Sequence, residues 1–209
     1  MADAHDTEVE PGTEETPALD PELLARREAA LARVLKLGDP VLKSKASPVA
    51  HFDQDLAAEI ERMLAIMHDG MGVGLAANQI GILRRVLVFQ AGHDAEPSAL
   101  INPELAWVSE EIALAEEGCL SIPRVTVDVE RPLHIRVAGL DADGNEVLIE
   151  ASGLEARVLQ HEVDHLDGVL ILDRTTREQR KGAMRAIREG LEYSPPSVEP
   201  EDAEAPAPA

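Results

Sequence analysis

Only one cysteine, one tryptophan, one tyrosine and two phenylalanines occur in the 209 residues. A single cysteine excludes an intramolecular disulfide and fits a reducing compartment. With aromatics at 2%, a core must be built from Leu, Ile, Val and Ala, and the 44% hydrophobic content is enough for one. No apolar run is long enough to cross a membrane, so no membrane partner is expected. The first twenty residues lack the basic start and apolar stretch of a signal peptide, which predicts a cytoplasmic protein.

Basic residues are also scarce, 19 Lys and Arg against 40 Asp and Glu, giving a formal net charge of −21. Such a chain is not expected to bind DNA. The charge is uneven. Residues 1–22 and 194–209 contain no Lys or Arg, are strongly acidic and offer few large apolar side chains. Both segments are expected to be disordered tails, because they have little to bury against the entropy of ordering. The domain is therefore placed at residues 23–193, a length that suits one fold.

Within it, apolar spacing predicts a helix over 23–35, then a turn and short extended piece at 37–42, and a second helix over 53–67. A glycine-rich loop from Gly70 to Gly81 follows. Strands are expected at 85–90, 99–101, 105–107 and 125–129, with a hairpin formed by 133–139 and 146–150 around Asp141-Ala142-Asp143-Gly144. Ser152-Gly153-Leu154-Glu155 has the form of a capping box and predicts a helix ending near Leu166, with Gly168 as its stop. A last helix is expected over 175–189. A helix, then several strands, then helices indicates an α+β fold rather than alternating βαβ units.

The chemistry concentrates on the helix after the hairpin. His161-Glu162-Val163-Asp164-His165 is an H-E-x-x-H sequence. Residues four apart lie on one helical face, so both imidazoles can reach one ion while Glu162 reaches a water beside it. A catalytic metal site usually takes three protein ligands and leaves one position open. The helix carries no third His or Glu of the extended zinc-protease type, which makes Cys119, in Glu117-Gly118-Cys119-Leu120-Ser121, the natural candidate. A lone cysteine is more often a small buried hydrophobe, so this assignment stands on its company. The glycines of Gly72-Val73-Gly74-Leu75-Ala76-Ala77-Asn78-Gln79 permit close backbone approach to a ligand or form a tight turn. No Walker lysine follows, so this is not a phosphate loop. Gln79 adds a neutral amide donor of the kind that stabilises an oxyanion. Leu154 and Val158 share the helical stripe of His161 and His165, and either pack in the core or line a pocket.

The three segments, in this order, resemble the peptide deformylases, a family marked by a G-x-G-x-A-A-x-Q loop, an E-G-C-L-S segment and a Q-H-E-x-D-H helix. The resemblance spans roughly residues 34–189. Asn78 stands where proline is common, and Thr126 where many relatives carry Arg. The resemblance implies small, mostly antiparallel sheets packed around a central helix that carries H-E-x-x-H, with a C-terminal helix. It implies a metal-dependent hydrolase that removes the N-terminal formyl group from N-formylmethionyl nascent polypeptides and releases formate. Cys119, His161 and His165 would hold one divalent ion, Fe²⁺ in the cell, with Zn²⁺, Ni²⁺ or Co²⁺ as replacements. Glu162 would move the proton, and the Gln79 amide and Leu120 backbone N–H would stabilise the formyl oxygen. Val73, Gly74, Leu154 and Val158 would bind substrate.

Competing readings are a zinc peptidase of the H-E-x-x-H type, a Cys–His hydrolase with Cys119 as nucleophile, and an inactive metal-binding protein of the translation machinery. Two further expectations concern charge. Arg131 is expected to bridge Glu117 and Asp164, tying the Cys119 segment to the metal helix. Arg174, Arg177, Lys181, Arg185 and Arg188 are spaced as one basic helical stripe. That stripe is either a solvated face or a contact to ribosomal RNA.

Overall fold

The computed structural model describes residues 20–92 and 95–196. Most of the two expected tails, residues 1–19 and 197–209, therefore lies outside the described residues. Five strands form one antiparallel sheet: β1 Gly74–Ala76, β2 Val86–Phe89, β3 Ser98–Val108, β6 His134–Leu140 and β7 Glu146–Ser152, in the order β1-β2-β3-β6-β7. A separate hairpin pairs β4 Ile112–Cys119 with β5 Ile122–Pro132. The helices are α1 Pro21–Leu31, α2 Gln54–Asp69, α3 Gly153–Leu166, α4 Ile171–Arg174 and α5 Arg177–Glu189.

The continuous apolar run of β2 follows from burial on both faces. Leu87 and Phe89 pack with Leu100, Ile135, Val137, Leu159, Val163 and Leu166, whereas Val86 and Val88 pack with Leu56, Met63, Met67 and Ile101. Alternation along a strand sends the first set toward α3 and the second toward α2. The large sheet is thus sandwiched between two helices, and α3 is central. A third cluster joins Val125, Val127 and Val129 of β5 to Leu170, Ile171, Leu172 and Ala183. It fixes the hairpin to the C-terminal helices.

Several boundaries differ from the sequence expectations. The first helix begins at Pro21, two residues before the expected start, because the Asp20 side chain accepts from Glu22 N, and it ends at Leu31 rather than 35. Residues 40–43 form a 3-10 turn rather than an extended piece, since Asp39 caps Val41 N. Asp53 is the cap of α2, which runs on to Asp69. The glycine-rich loop contains β1 and a 3-10 turn over Ala77–Ile80. The two expected short strands at 99–101 and 105–107 are one long β3, with register shifts where it pairs β6. β5 is longer than 125–129, and its partner β4 was not expected at all.

The expected capping box is not formed. Ser152 stays in the last rung of β7, where its Oγ lies 2.8 Å from His134 Nδ1. Gly153, at φ +58°, turns the chain, and its N–H donates to Leu133 O at 2.9 Å. The helix start is therefore tied into the sheet by backbone, so the serine hydroxyl is free to pair elsewhere. The last helix, expected over 175–189, is α5, which starts at Arg177 because Thr176 caps Gln179 N, and the short α4 precedes it as a separate turn.

Candidate metal centre and substrate cleft

α3 ends at Leu166, one residue beyond His165, and Gly168 at φ +74° turns the chain away. Opposite, β4 ends at Cys119, and Leu120-Ser121 makes the two-residue turn into β5. The ligand-capable atoms of Cys119, His161 and His165 all lie within 4.8 Å of one another. Cys119 Sγ is 3.2 Å from His165 Nε2. His161 Nδ1 lies 3.0 Å from Glu117 Oε2, which leaves its Nε2 for an ion.

The donor set fits a metal. Burial pushes the Cys119 thiol up, but the His165 charge and hydrogen bonds from both histidines outweigh it and hold the thiol well below its ordinary value. Burial alone would lower His161, yet its bonds to Cys119 and Glu117 raise it well above the usual imidazole range. A thiolate facing two imidazole nitrogens marks a place where a cation is favoured. His165 Nδ1 and Glu162 Oε2 are buried without a hydrogen-bond partner.

Glu162 is 4% exposed and faces the loop that carries Gly74. A Cβ at Gly74 would come within 2.4 Å of Glu162 Oε1, so only glycine leaves room for this carboxylate. Burial raises the Glu162 carboxyl above its ordinary value, against the lowering effect of His161 and His165. Gln79 is also buried, and its Oε1 accepts from Ala76 N at 2.8 Å. That bond turns the amide NH₂ toward Cys119 Sγ, 3.7 Å away, and Ser121 Oγ, 3.3 Å away.

Around these three residues lies a hub of buried charge. Arg131 donates to both Glu117 oxygens, at 2.6 and 2.9 Å, and to Asp164 Oδ2 at 2.9 Å. Arg157 donates to Glu117 Oε1, Val129 O and Ala113 O, and so joins α3 to both strands of the hairpin. Burial raises the Glu117 carboxyl, but hydrogen bonds from His161 and Arg131 and the Arg131 charge prevail and hold it at about 2. Arg174 bonds both Asp164 oxygens. Asn78 Nδ2 donates to the His165 carbonyl.

The cluster opens into a cleft of about 610 Å³ lined by Val73, Gly74, Gln79, Cys119, Leu120, Leu154, Val158, His161 and Glu162, among others. Val73 and Leu154 are 49% and 57% exposed, so they are apolar wall rather than core. Val158 is buried and packs with the sheet as well. Met71 and Arg124, both with positive φ, also line it. Strained backbone of this kind gathers at ligand sites.

The roles of Arg157, Arg174 and Asn78 were not read from the sequence. Arg157 lies four residues before His161, so its position on the metal-bearing face was the one available signal. Arg174 does not join the expected basic stripe: it sits in α4, separate from α5, and pairs with Asp164. Arg177, Lys181, Arg185 and Arg188 remain, all exposed on α5.

An α+β scaffold that presents Cys, two His and a buried carboxylate at one end of an open cleft has the build of a metal-dependent hydrolase. The sequence profile of the polypeptide deformylase family matches residues 31–181. A peptide deformylase 1 of Corynebacterium glutamicum is 47% identical over 161 residues, 76% of this chain and 95% of that protein. The crystal structure of peptide deformylase from Thermotoga maritima is 47% identical and superposes with a TM-score of 0.67, covering 69% of this chain and 97% of that one. The peptide deformylase of Synechococcus elongatus in complex with actinonin is 39% identical, with a TM-score of 0.71 over 76% of this chain and 87% of that one. The chain belongs to the polypeptide deformylase family. It is a hydrolase of protein biosynthesis that removes the formyl group from the N-terminus of polypeptides, in a metal-dependent family. Among the described residues no helix is long and apolar enough to cross a membrane.

Proposed function

We propose that Cys119, His161 and His165 hold one Fe²⁺ ion in the cell, and that residues 23–193 deformylate N-formylmethionyl nascent chains in the cytoplasm. The observation that carries this reading is the convergence of the three donors within 4.8 Å beside the unpartnered buried carboxylate of Glu162. When bound, the ion supplies a Lewis acid that polarises the formyl carbonyl and acidifies water. A thiolate with two imidazoles suits Fe²⁺, and equally Zn²⁺, Ni²⁺ or Co²⁺ after exchange.

Glu162 accepts a proton from the attacking water and returns one to the departing amine as the formyl C–N bond breaks. Burial raises its carboxyl above the ordinary value, which makes it a stronger base than a solvated carboxylate. The Gln79 amide, held by Ala76 N, and the Leu120 backbone N–H donate to the formyl oxygen as it gains charge. Val73, Gly74, Leu154 and Val158 take the methionine side chain and its backbone. Glu117, Arg131 and Asp164 keep His161 and the hairpin in place. Glu162→Ala is expected to keep the metal and lose about three orders of magnitude in kcat. Deformylation of formyl-Met-Ala and metal content, both on anaerobically purified protein, check this. Equal loss of metal would make Glu162 structural, and zinc alone in fully active protein would remove the Fe²⁺ assignment.

The exposed cations of α5 support an association with ribosomal RNA, which would place the enzyme near its substrate. Reversal of Arg177, Lys181 and Arg185 to Glu is expected to abolish low-salt co-sedimentation with ribosomes and leave formyl-Met-Ala hydrolysis intact. Unchanged co-sedimentation would return α5 to a solvated face.

A further inference from the structure

The cleft is larger than a formyl group and one methionine require. Its volume of about 610 Å³ lies in the range that encloses drug-sized ligands. Beyond the walls assigned to the first residue, part of the lining comes from outside the family-matched residues 31–181: Arg27 of α1, and Glu192, Tyr193 and Ser194.

The C-terminal piece is firmly seated. Gly190, at φ +70°, ends α5 and turns the chain back beside β5. Tyr193 N donates to Arg124 O at 3.0 Å, and Thr126 N donates to Tyr193 O at 2.9 Å, forming a parallel bridge at Val125. Thr126 Oγ1 and Ser194 Oγ are 3.0 Å apart. The Tyr193 ring lies on Gly182 of α5, where an added Cβ would come within 2.5 Å of Cε2. The outer edge of β5 next to the cleft is thus occupied by the protein itself, and Thr126 is engaged with the strap at the position where many relatives carry Arg.

We infer that this strap, Glu192–Ser194, is a specificity-determining wall that receives the substrate residues following formyl-methionine. The inference rests on the deformylase reading of the cleft. Two cations, Arg27 and Arg124, and two anions, Glu116 and Glu192, line this region in addition to the hub residues. Balanced charge gives no selection by sign, so contact with the strap should depend on peptide length more than on sequence.

The test compares formyl-Met-Ala with formyl-Met-Ala-Ala-Ser on the full-length metal-loaded enzyme. Wild type should favour the longer peptide. Tyr193→Ala should lower the long-to-short ratio of kcat/KM about fivefold, the effect of a lost contact of modest strength, through KM of the longer peptide. Tyr193→Phe keeps the ring and should keep the ratio. Thr126→Val exchanges the hydroxyl for a methyl group, which removes the bond to Ser194 Oγ, and should lower the ratio about twofold. Equal losses on both peptides, tracking a fall in folded protein by circular dichroism, would mean that the strap only braces α5, and would overturn the inference. Wild type with no length preference would overturn it too. Failure of wild type to hydrolyse formyl-Met-Ala would instead strike the deformylase reading beneath it.

Discussion

The two ends of the cleft are built on opposite principles. At the metal end, Glu117, Arg131, Asp164, Glu162 and His165 are all buried, and the first three share short ionic hydrogen bonds. At the open end, Val73, Leu154 and Met71 are large apolar side chains left half in water. Buried charges hold one geometry, because each is costly to leave without its partner. Exposed apolar wall does the reverse: it costs little to rearrange and gains its stabilisation only when a substrate covers it. The contrast separates the part of the site that must not move from the part that must accept many polypeptides.

Breaking the buried end should have the largest effect. Arg131→Ala removes the cation between Glu117 and Asp164 and leaves two carboxylates in a desolvated hub, although Arg157 and Arg174 remain nearby. A loss of about 3–5 kcal/mol in unfolding free energy is expected for a broken buried pair. Metal affinity should fall about 10–100-fold, since Glu117 orients His161. Denaturant titration and metal competition measure the two. Unchanged values would show that Arg157 alone holds Glu117.

Acid should weaken the same hub from the other side. Glu117 sits at about 2 in the fold against 4.5 for an unperturbed carboxyl. A depressed folded-state value means that the stabilisation is complete above pH 4.5 and is lost as pH falls toward 2. The difference corresponds to about 3 kcal/mol. Glu117→Gln is expected to be less stable at neutral pH and to show a flatter fall in urea midpoint between pH 5 and 3. A slope equal to that of wild type would place the acid sensitivity elsewhere.

The same contrast explains what could be read in advance. H-E-x-x-H is legible because four residues make about one helical turn, and β2 because a strand buried on both faces is uniformly apolar. β4 was invisible because Ile112 and Leu114 are exposed and its other residues before Cys119 are Ala, Glu and Gly, which carry no strand signal. β1 is three residues inside a glycine-rich stretch, too short for any periodicity. Of the hub, the two carboxylates and Arg131 lie near the motifs, whereas the bonds from Arg157 to Ala113 and Val129 cross 44 and 28 residues. Ser152 misled because its hydroxyl had a second suitor in His134, which only the register of β6 and β7 brings close.

The smallest effect should come from the exposed end. Leu154 is 57% exposed and lines the cleft on the first turn of α3, two turns before His161. Replacing it with Ala opens no buried cavity, so unfolding free energy should change by less than about 0.5 kcal/mol. Bound formyl-methionine would lose part of an apolar wall, which is worth about 1 kcal/mol, or roughly fivefold in KM. The kcat should hold, because neither Glu162 nor the donors around Cys119 touch this side chain in the hydrogen-bond network. Steady-state kinetics with formyl-Met-Ala, together with metal content, separate the outcomes. A fall in kcat or in bound metal would show that the two ends of the cleft are mechanically joined along α3, and the division between a fixed end and an adaptable one would fail.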